Sequence, residues 1–169
     1  MKKFRYSFLA QLIYRFANFP ISLLLIFYLF VSLIGMIKSW IYVIPFLINA
    51  LILFFINRFY FKSYKLFPYL IEADNEKLVC SNFFMSDKKV EIFHKDISEI
   101  RGGLFSGQPV RPIYITDGRQ NITIGINTHL KGYNDLVTII LSNIGQDLYA
   151  GLLDGIKEMA APPKKKKNV

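Results

Sequence analysis

The chain predicts a membrane α-hairpin followed by an α+β domain: two transmembrane helices, then a small antiparallel sheet closed by a C-terminal helix. Three observations carry this expectation. Two long uncharged runs lie back to back near the start, short alternating β-branched runs follow them, and a helical period returns after Gly132.

From Ala17 to Ile37 there is no Lys, Arg, Asp, Glu or His, and from Ser39 to Asn57 there is none again; only Lys38 separates the runs. Each is about 20 residues, roughly 30 Å as a helix, which matches a hydrocarbon core. A cleaved signal peptide behind "MKKFRYSFL" is the rival reading of the first run. It fits poorly, because no small-x-small site ends that run and a second apolar run follows at once. Residues 20–57 are therefore expected as a tight transmembrane hairpin. Pro20 suits the first turn of a helix, where its missing N–H costs little; Pro45 either kinks the second span or marks its start. Asn49, near mid-span, is expected to contact the neighbouring span, with a serine such as Ser22 or Ser32 as partner. No intramembrane charge marks an ion or proton path.

Residues 1–19 place Phe4, Phe8, Leu12 and Phe16 at steps of four, with Arg5, Gln11 and Arg15 elsewhere on the wheel. That spacing predicts an amphipathic helix lying in the headgroup region, the alternative being a frayed basic leader.

The formal net charge of +9 is unevenly spread. All twelve acidic residues lie between Leu66 and Met159 beside nine basic ones, so that region is net −3. Of the other twelve basic residues, all but Lys38 lie outside the hairpin tip. By the positive-inside rule both termini are expected in the cytoplasm, with Lys38 and Trp40 at the far face. Basicity here reports membrane topology, so no nucleic-acid partner is expected. The lone Cys80 forms no internal disulfide and suits a reducing cytoplasm.

Residues 58–159 are expected as one cytoplasmic domain. After the aromatic and basic exit "RFYFKSYKLFPYLIEA" the period becomes two. Runs such as "KLVCSN", "KKVEIF", "RPIYIT" and "NITIGIN" read as strands, and six strands are placed in all. "TDGRQN" joins the last two as a hairpin through Asp117 and Gly118; "EADNEK" and "MSDKK" supply further turns. Leu136, Ile140, Ile144, Leu148, Leu152 and Ile156 then recur at steps of four, predicting one closing helix capped by Asn134 or Asp135. "AAPP" stops it. Residues 160–169 form a polybasic tail whose Lys164, Lys165, Lys166 and Lys167 are candidate contacts for anionic lipid, or else a solvated end.

The segments "YLIEADNEKLVC", "KKVEIFHKDISEI", "RPIYITDGRQNITIGI" and "YNDLVTIILSNI" together resemble the bacterial PH-like (pleckstrin-homology-like) domains of small membrane proteins, in which a two-helix transmembrane hairpin precedes the domain. The likeness spans Pro20 to about Ile144, and "FHKDISEIRGG" is its most specific element. It implies an antiparallel sheet or barrel closed by a helix, in a bacterial inner membrane protein. It also implies an interaction or scaffold module, from which we expect a non-enzymatic accessory subunit docking other membrane protein subunits. Phosphoinositide-binding PH domains use basic residues around their first hairpin. Here that turn reads "EADNEK", whose carboxylates would repel a phosphorylated headgroup, so no phosphoinositide partner is expected.

"HKDISEIRGGLFSGQPVRPIYI" holds the most site-like residues. His94-Lys95-Asp96 is superficially like the signature of phospholipase D enzymes, HxKxxxxD, but contiguous residues in a strand point to alternating faces. Gly102 and Gly107 have phosphate-loop spacing, yet Gln108-Pro109 follows where Lys-Ser/Thr is required. The stretch is expected to be a corner of the sheet and a contact loop. His129 is too isolated for a metal set. No catalytic, metal or cofactor site is expected. Phe83, Phe84 and Phe105 are candidate contacts for lipid or a partner, unless they cap the domain core. The expected function is thus a membrane-anchored adaptor, the alternative being a protein whose sheet grips a lipid or other amphiphile.

Overall fold

The computed structural model describes residues 1–160, in two units: Ser7–Leu66, and a second made of Met1–Tyr6 with the chain from Phe67 onward. The first unit is helical, with α1 (Phe8–Phe16), α2 (Asn18–Met36) and α3 (Val43–Leu66). Phe8–Met36 and Trp40–Leu66 are long and apolar enough to cross a membrane, with mean hydropathies of 2.3 and 2.1.

Local chemistry sets their ends. Ser7 caps α1, its Oγ accepting the Ala10 N–H at 3.3 Å. Pro20 and Pro45 each fall in the first turn of their helix, so Pro45 marks the start of α3 and does not kink it. Between α2 and α3 the chain turns through a 3-10 segment, Trp40–Tyr42. Gly35 allows this tight turn: a Cβ there would meet the Tyr42 ring at 2.6 Å. Few side chains are buried in this unit; Asn18, Leu25, Ser32 and Tyr64 are the most enclosed.

Among the described residues the second unit contains seven strands, one more than the sequence led us to expect. β1 (Lys2–Arg5) comes from the opening segment, ahead of α1. After α3 come β2 (Leu70–Ala73), β3 (Lys77–Ser81), β4 (Val90–Phe93), β5 (Ile97–Gly102), β6 (Ile113–Asp117) and β7 (Ile122–Ile126). They form a four-stranded sheet in the order β1-β2-β3-β4 and a three-stranded sheet β5-β6-β7, antiparallel throughout.

The amphipathic helix expected over residues 1–19 is therefore corrected at its start. Phe4 pairs in register with Ile71 and is 2% exposed, and Tyr6 bridges to Leu130. Phe4 and Tyr6 turn inward and alternate with charged Lys3 and Arg5, a period of two that the step of four from Phe4 to Phe8 conceals. The first helix begins only at Phe8, as its serine cap dictates.

Core packing follows the strand period. Ile71, Leu78, Ile92, Ile113, Ile115, Ile124 and Ile126 are almost fully enclosed. Ile113 faces Ile126 and Ile115 faces Ile124 across the predicted hairpin. The closing helix is two helices, α4 (Tyr133–Asn143) and α5 (Gln146–Ala160). Gly132, with φ 74°, stands at the cap of α4, and neither Asn134 nor Asp135 does. Ile144, itself buried, adopts an extended ψ of 162° before Gly145, which breaks the step-of-four stripe. Leu136, Val137 and Ile140 of α4 enter the core, while Leu148, Leu152 and Ile156 of α5 are only half-buried. α5 lies beside β5 and the turn at Gly103–Ser106.

Candidate functional site

His94, Lys95 and Asp96 form a single 3-10 turn between β4 and β5, not the strand expected from the sequence. His94 is 2% exposed. Its Nε2 lies 2.8 Å from the Asp74 carbonyl, which can only accept, so Nε2 carries the proton. Its backbone N–H donates to the Glu76 carbonyl at 3.0 Å, and the Asp96 carbonyl accepts the Gly118 N–H at 2.9 Å. The turn thus ties the β2–β3 connection to the β6–β7 connection. It does so by the chain's geometry and one buried ring, with Lys95 outside, its Nζ 5.8 Å from the centre of the Phe93 ring.

Asp117 is fully buried yet satisfied. Its Oδ1 accepts the backbone N–H groups of Arg119 and Gln120 at 2.8 and 2.9 Å, and its Oδ2 accepts Gln120 Nε2 at 3.1 Å. Asp74 does the same for the β2–β3 turn, accepting Glu76 N–H and Lys77 N–H, both at 2.9 Å. Those N–H groups, Lys77's first, hold the Asp74 carboxyl below its ordinary range. Both carboxylates fold the backbone; this accounts for two of the twelve acidic residues as turn formers.

Lys3 lies 2.9 Å from Glu72, and Lys77 2.9 Å from Glu91. These pairs lower both glutamates through the lysine hydrogen bond and raise Lys77 through Glu91. Cys80 is enclosed, and burial pushes its thiol up to about 12.

The loop after β5 is the part of this stretch that faces outward. Gly102, at φ 84°, turns the chain where a Cβ would run into the Pro112 carbonyl. Leu104 and Val110 are 50% and 80% exposed, whereas Phe105 is half-buried. Beside them a concavity of about 600 Å³ is lined by Arg101, Phe105, Arg111, Tyr114 and Thr123. It offers two guanidinium-bearing side chains around aromatic surface, a composition suited to gripping a partner and lacking a nucleophile–base pair.

The other candidates scatter. Phe83 is 4% exposed and caps the core, bridged to Ser86, which removes it from the contact surface. Phe84 is half-buried, and the exposed residue of that turn is Met85, at 87%. Asn49 does not reach the neighbouring span: its Nδ2 donates to the Pro45 carbonyl one turn back, at 2.8 Å. Proline has no N–H, but its carbonyl one turn before the amide remains an available acceptor. The contact between spans is made instead by Asn18 Nδ2 to Asn57 Oδ1 at 2.9 Å and by Asn57 Nδ2 to Ser22 Oγ at 3.2 Å. Both asparagines stand at the ends of the uncharged runs, and that placement is their signal in the sequence. Lys164, Lys165, Lys166 and Lys167 lie outside the described residues. In comparisons with known proteins, no family model, no curated protein and no solved structure matches the chain.

Proposed function

We propose that this protein is a non-enzymatic, membrane-anchored adaptor, an accessory or scaffold subunit of a larger membrane protein complex. In this reading it crosses a bacterial inner membrane twice, with both ends of the chain and a PH-like domain in the cytoplasm. The observation that carries the reading is the pairing of β1 with β2, Phe4 opposite Ile71, across the sixty-residue helical unit Ser7–Leu66. Paired strands must share one side of a bilayer, and two spans return the chain to the side it left. The basic residues Arg58, Lys62 and Lys65 at the end of α3 support the cytoplasm as that side.

A PH-like assignment is supported by the four-plus-three arrangement of antiparallel strands followed by a helix. A domain begun before the hairpin and completed after it is held at the membrane through two connections. That suits a module whose task is to hold partners at the surface. The docking surface in this reading is the loop carrying Leu104 and Val110, whose large apolar side chains are exposed.

Photo-crosslinking in native membranes tests it. A photoreactive residue at Val110 should give a discrete protein adduct, whereas one at Asp147, exposed on α5, should not. Adducts to lipid alone from Val110 would defeat the adaptor and favour a lipid-gripping sheet.

A further inference from the structure

We propose that the helical hairpin holds one anionic phospholipid, its headgroup on Arg58, Lys62 and Lys65 and an acyl chain in the groove between α2 and α3. The proposal rests on the membrane insertion proposed above, though not on the adaptor role.

A groove of about 690 Å³ runs along α3, with Leu29 of α2 on its other wall. Its deeper part is apolar, lined by Leu29, Ala50 and Phe54, and its outer part carries Arg58, Lys62 and Lys65. Steps of four and three put these cations on one helix face, and all are exposed. Like charges so placed repel one another. Nothing in the hairpin offsets them: Ser7–Leu66 contains no Asp or Glu, and none of the three forms an ion pair among the described residues.

The dimensions fit a lipid. From Ala50 to Lys65 is about 22 Å of helix, and Ala50 to Asn57 about 10 Å of it, within the roughly 15 Å of half a hydrocarbon core. Apolar lining thus lies at the depth of acyl chains and the cations at the depth of phosphates. Ala50 keeps the floor of the groove open. A protein helix would satisfy the apolar part but would bring three cations no counter-charge unless it carried acidic residues. An anionic phospholipid supplies both from the surrounding bilayer.

The full chain, reconstituted in nanodiscs of mixed phosphatidylglycerol and phosphatidylcholine and released into mild detergent, is examined by native mass spectrometry. One phosphatidylglycerol per chain should be retained in preference to phosphatidylcholine. Lys62→Gln should lower that preference about fivefold, and the triple change Arg58→Gln, Lys62→Gln, Lys65→Gln should abolish it. Ala50→Leu should reduce retention of both lipids by filling the groove. Lys88→Gln with Lys89→Gln, remote in sequence and outside the groove, should change nothing. Equal retention of the two lipids by the wild type, an unchanged preference in Lys62→Gln, or a second protein chain in place of lipid would each overturn the proposal. Incorporation into the nanodisc is the separate readout: a chain that does not insert defeats the membrane anchoring itself, whereas insertion without lipid preference defeats only the lipid site.

Discussion

In the hairpin, apolar side chains face outward and the polar contacts lie between helices; in the sheet domain the order is reversed. Phe27, Phe30, Phe54 and Phe55 are each 58% or more exposed, while Asn18 and Ser32 are enclosed. In the domain Phe4, Ile71 and Leu136 are enclosed, and Lys2, Lys3 and Arg101 face water. That difference is what the proposed placement, the hairpin in lipid and the domain in water, would produce. Water drives apolar area inward, at roughly 25 cal/mol per Å². Lipid gives no such drive, so helix association there depends on close packing and hydrogen bonds.

The sharpest way to break this contrast is to truncate one phenylalanine in each region. Phe4→Ala removes an enclosed ring from β1 and should cost about 3–5 kcal/mol, a large part of a typical domain's stability. Phe55→Ala removes an exposed one and should change little, because lipid or detergent replaces its contacts. Thermal unfolding of the domain, followed by limited proteolysis in one detergent, compares the two. An unaltered melting temperature in Phe4→Ala would refute the placement of residues 2–5 in the sheet.

A smaller effect is expected for Asn57→Leu, which removes the residue that bonds both Asn18 and Ser22. Polar contacts between membrane helices are worth about 0.6–2 kcal/mol. The hairpin should loosen by that amount, read as faster disulfide trapping between cysteines placed across α2 and α3, with the sheet's melting unaffected. Asn49→Leu serves as the comparison and should leave trapping rates as they are, since Asn49 bonds only within its own helix among the described contacts. Equal effects of the two changes would dissolve the distinction.

The smallest effect near neutral pH concerns Cys80. Its thiol is raised from 9.0 to about 12 by burial, so the folded state holds its proton where the unfolded state loses it. The sign follows from proton uptake: above the unfolded value the native state binds more protons, and stability falls as pH rises. The contribution is intact below about pH 9 and is lost progressively toward 12, at up to about 1.4 kcal/mol per pH unit. Cys80→Ala should flatten that slope in denaturant titrations. At pH 8 the wild-type thiol should resist an aromatic disulfide reagent until denaturant is added; rapid labelling of the folded protein would contradict its burial.

The two long apolar helices were legible in the sequence because apolar length is a property of a segment alone. So were the strands from Leu70 to Ile126, whose alternation over several residues belongs to no helix, and the β6–β7 hairpin. Short segments were not. "KKFR" satisfies a helical step to Phe8 as well as a strand period, and only its pairing with residues 70–73 decides between them. Strand pairing is a contact between distant parts of the chain, so no local window contains it.

The same reason separates the candidate residues from their roles. His94 resembles a catalytic residue until the Asp74 carbonyl, twenty positions earlier, is seen to receive its Nε2–H. His94→Ala is thus a change in the domain's internal bonding. Phe83 and Phe105 read alike as loop aromatics, yet one caps the core and the other is only half-buried. The step-of-four stripe from Leu136 to Ile156 runs on in sequence, but the core takes only its first part and Ile144 ends α4 in an extended conformation. Composition and period therefore determined what the longer segments form and which solvent they suit. Tertiary packing decided which side chains are left at the surface to meet a partner, because burial depends on neighbours supplied from elsewhere in the chain.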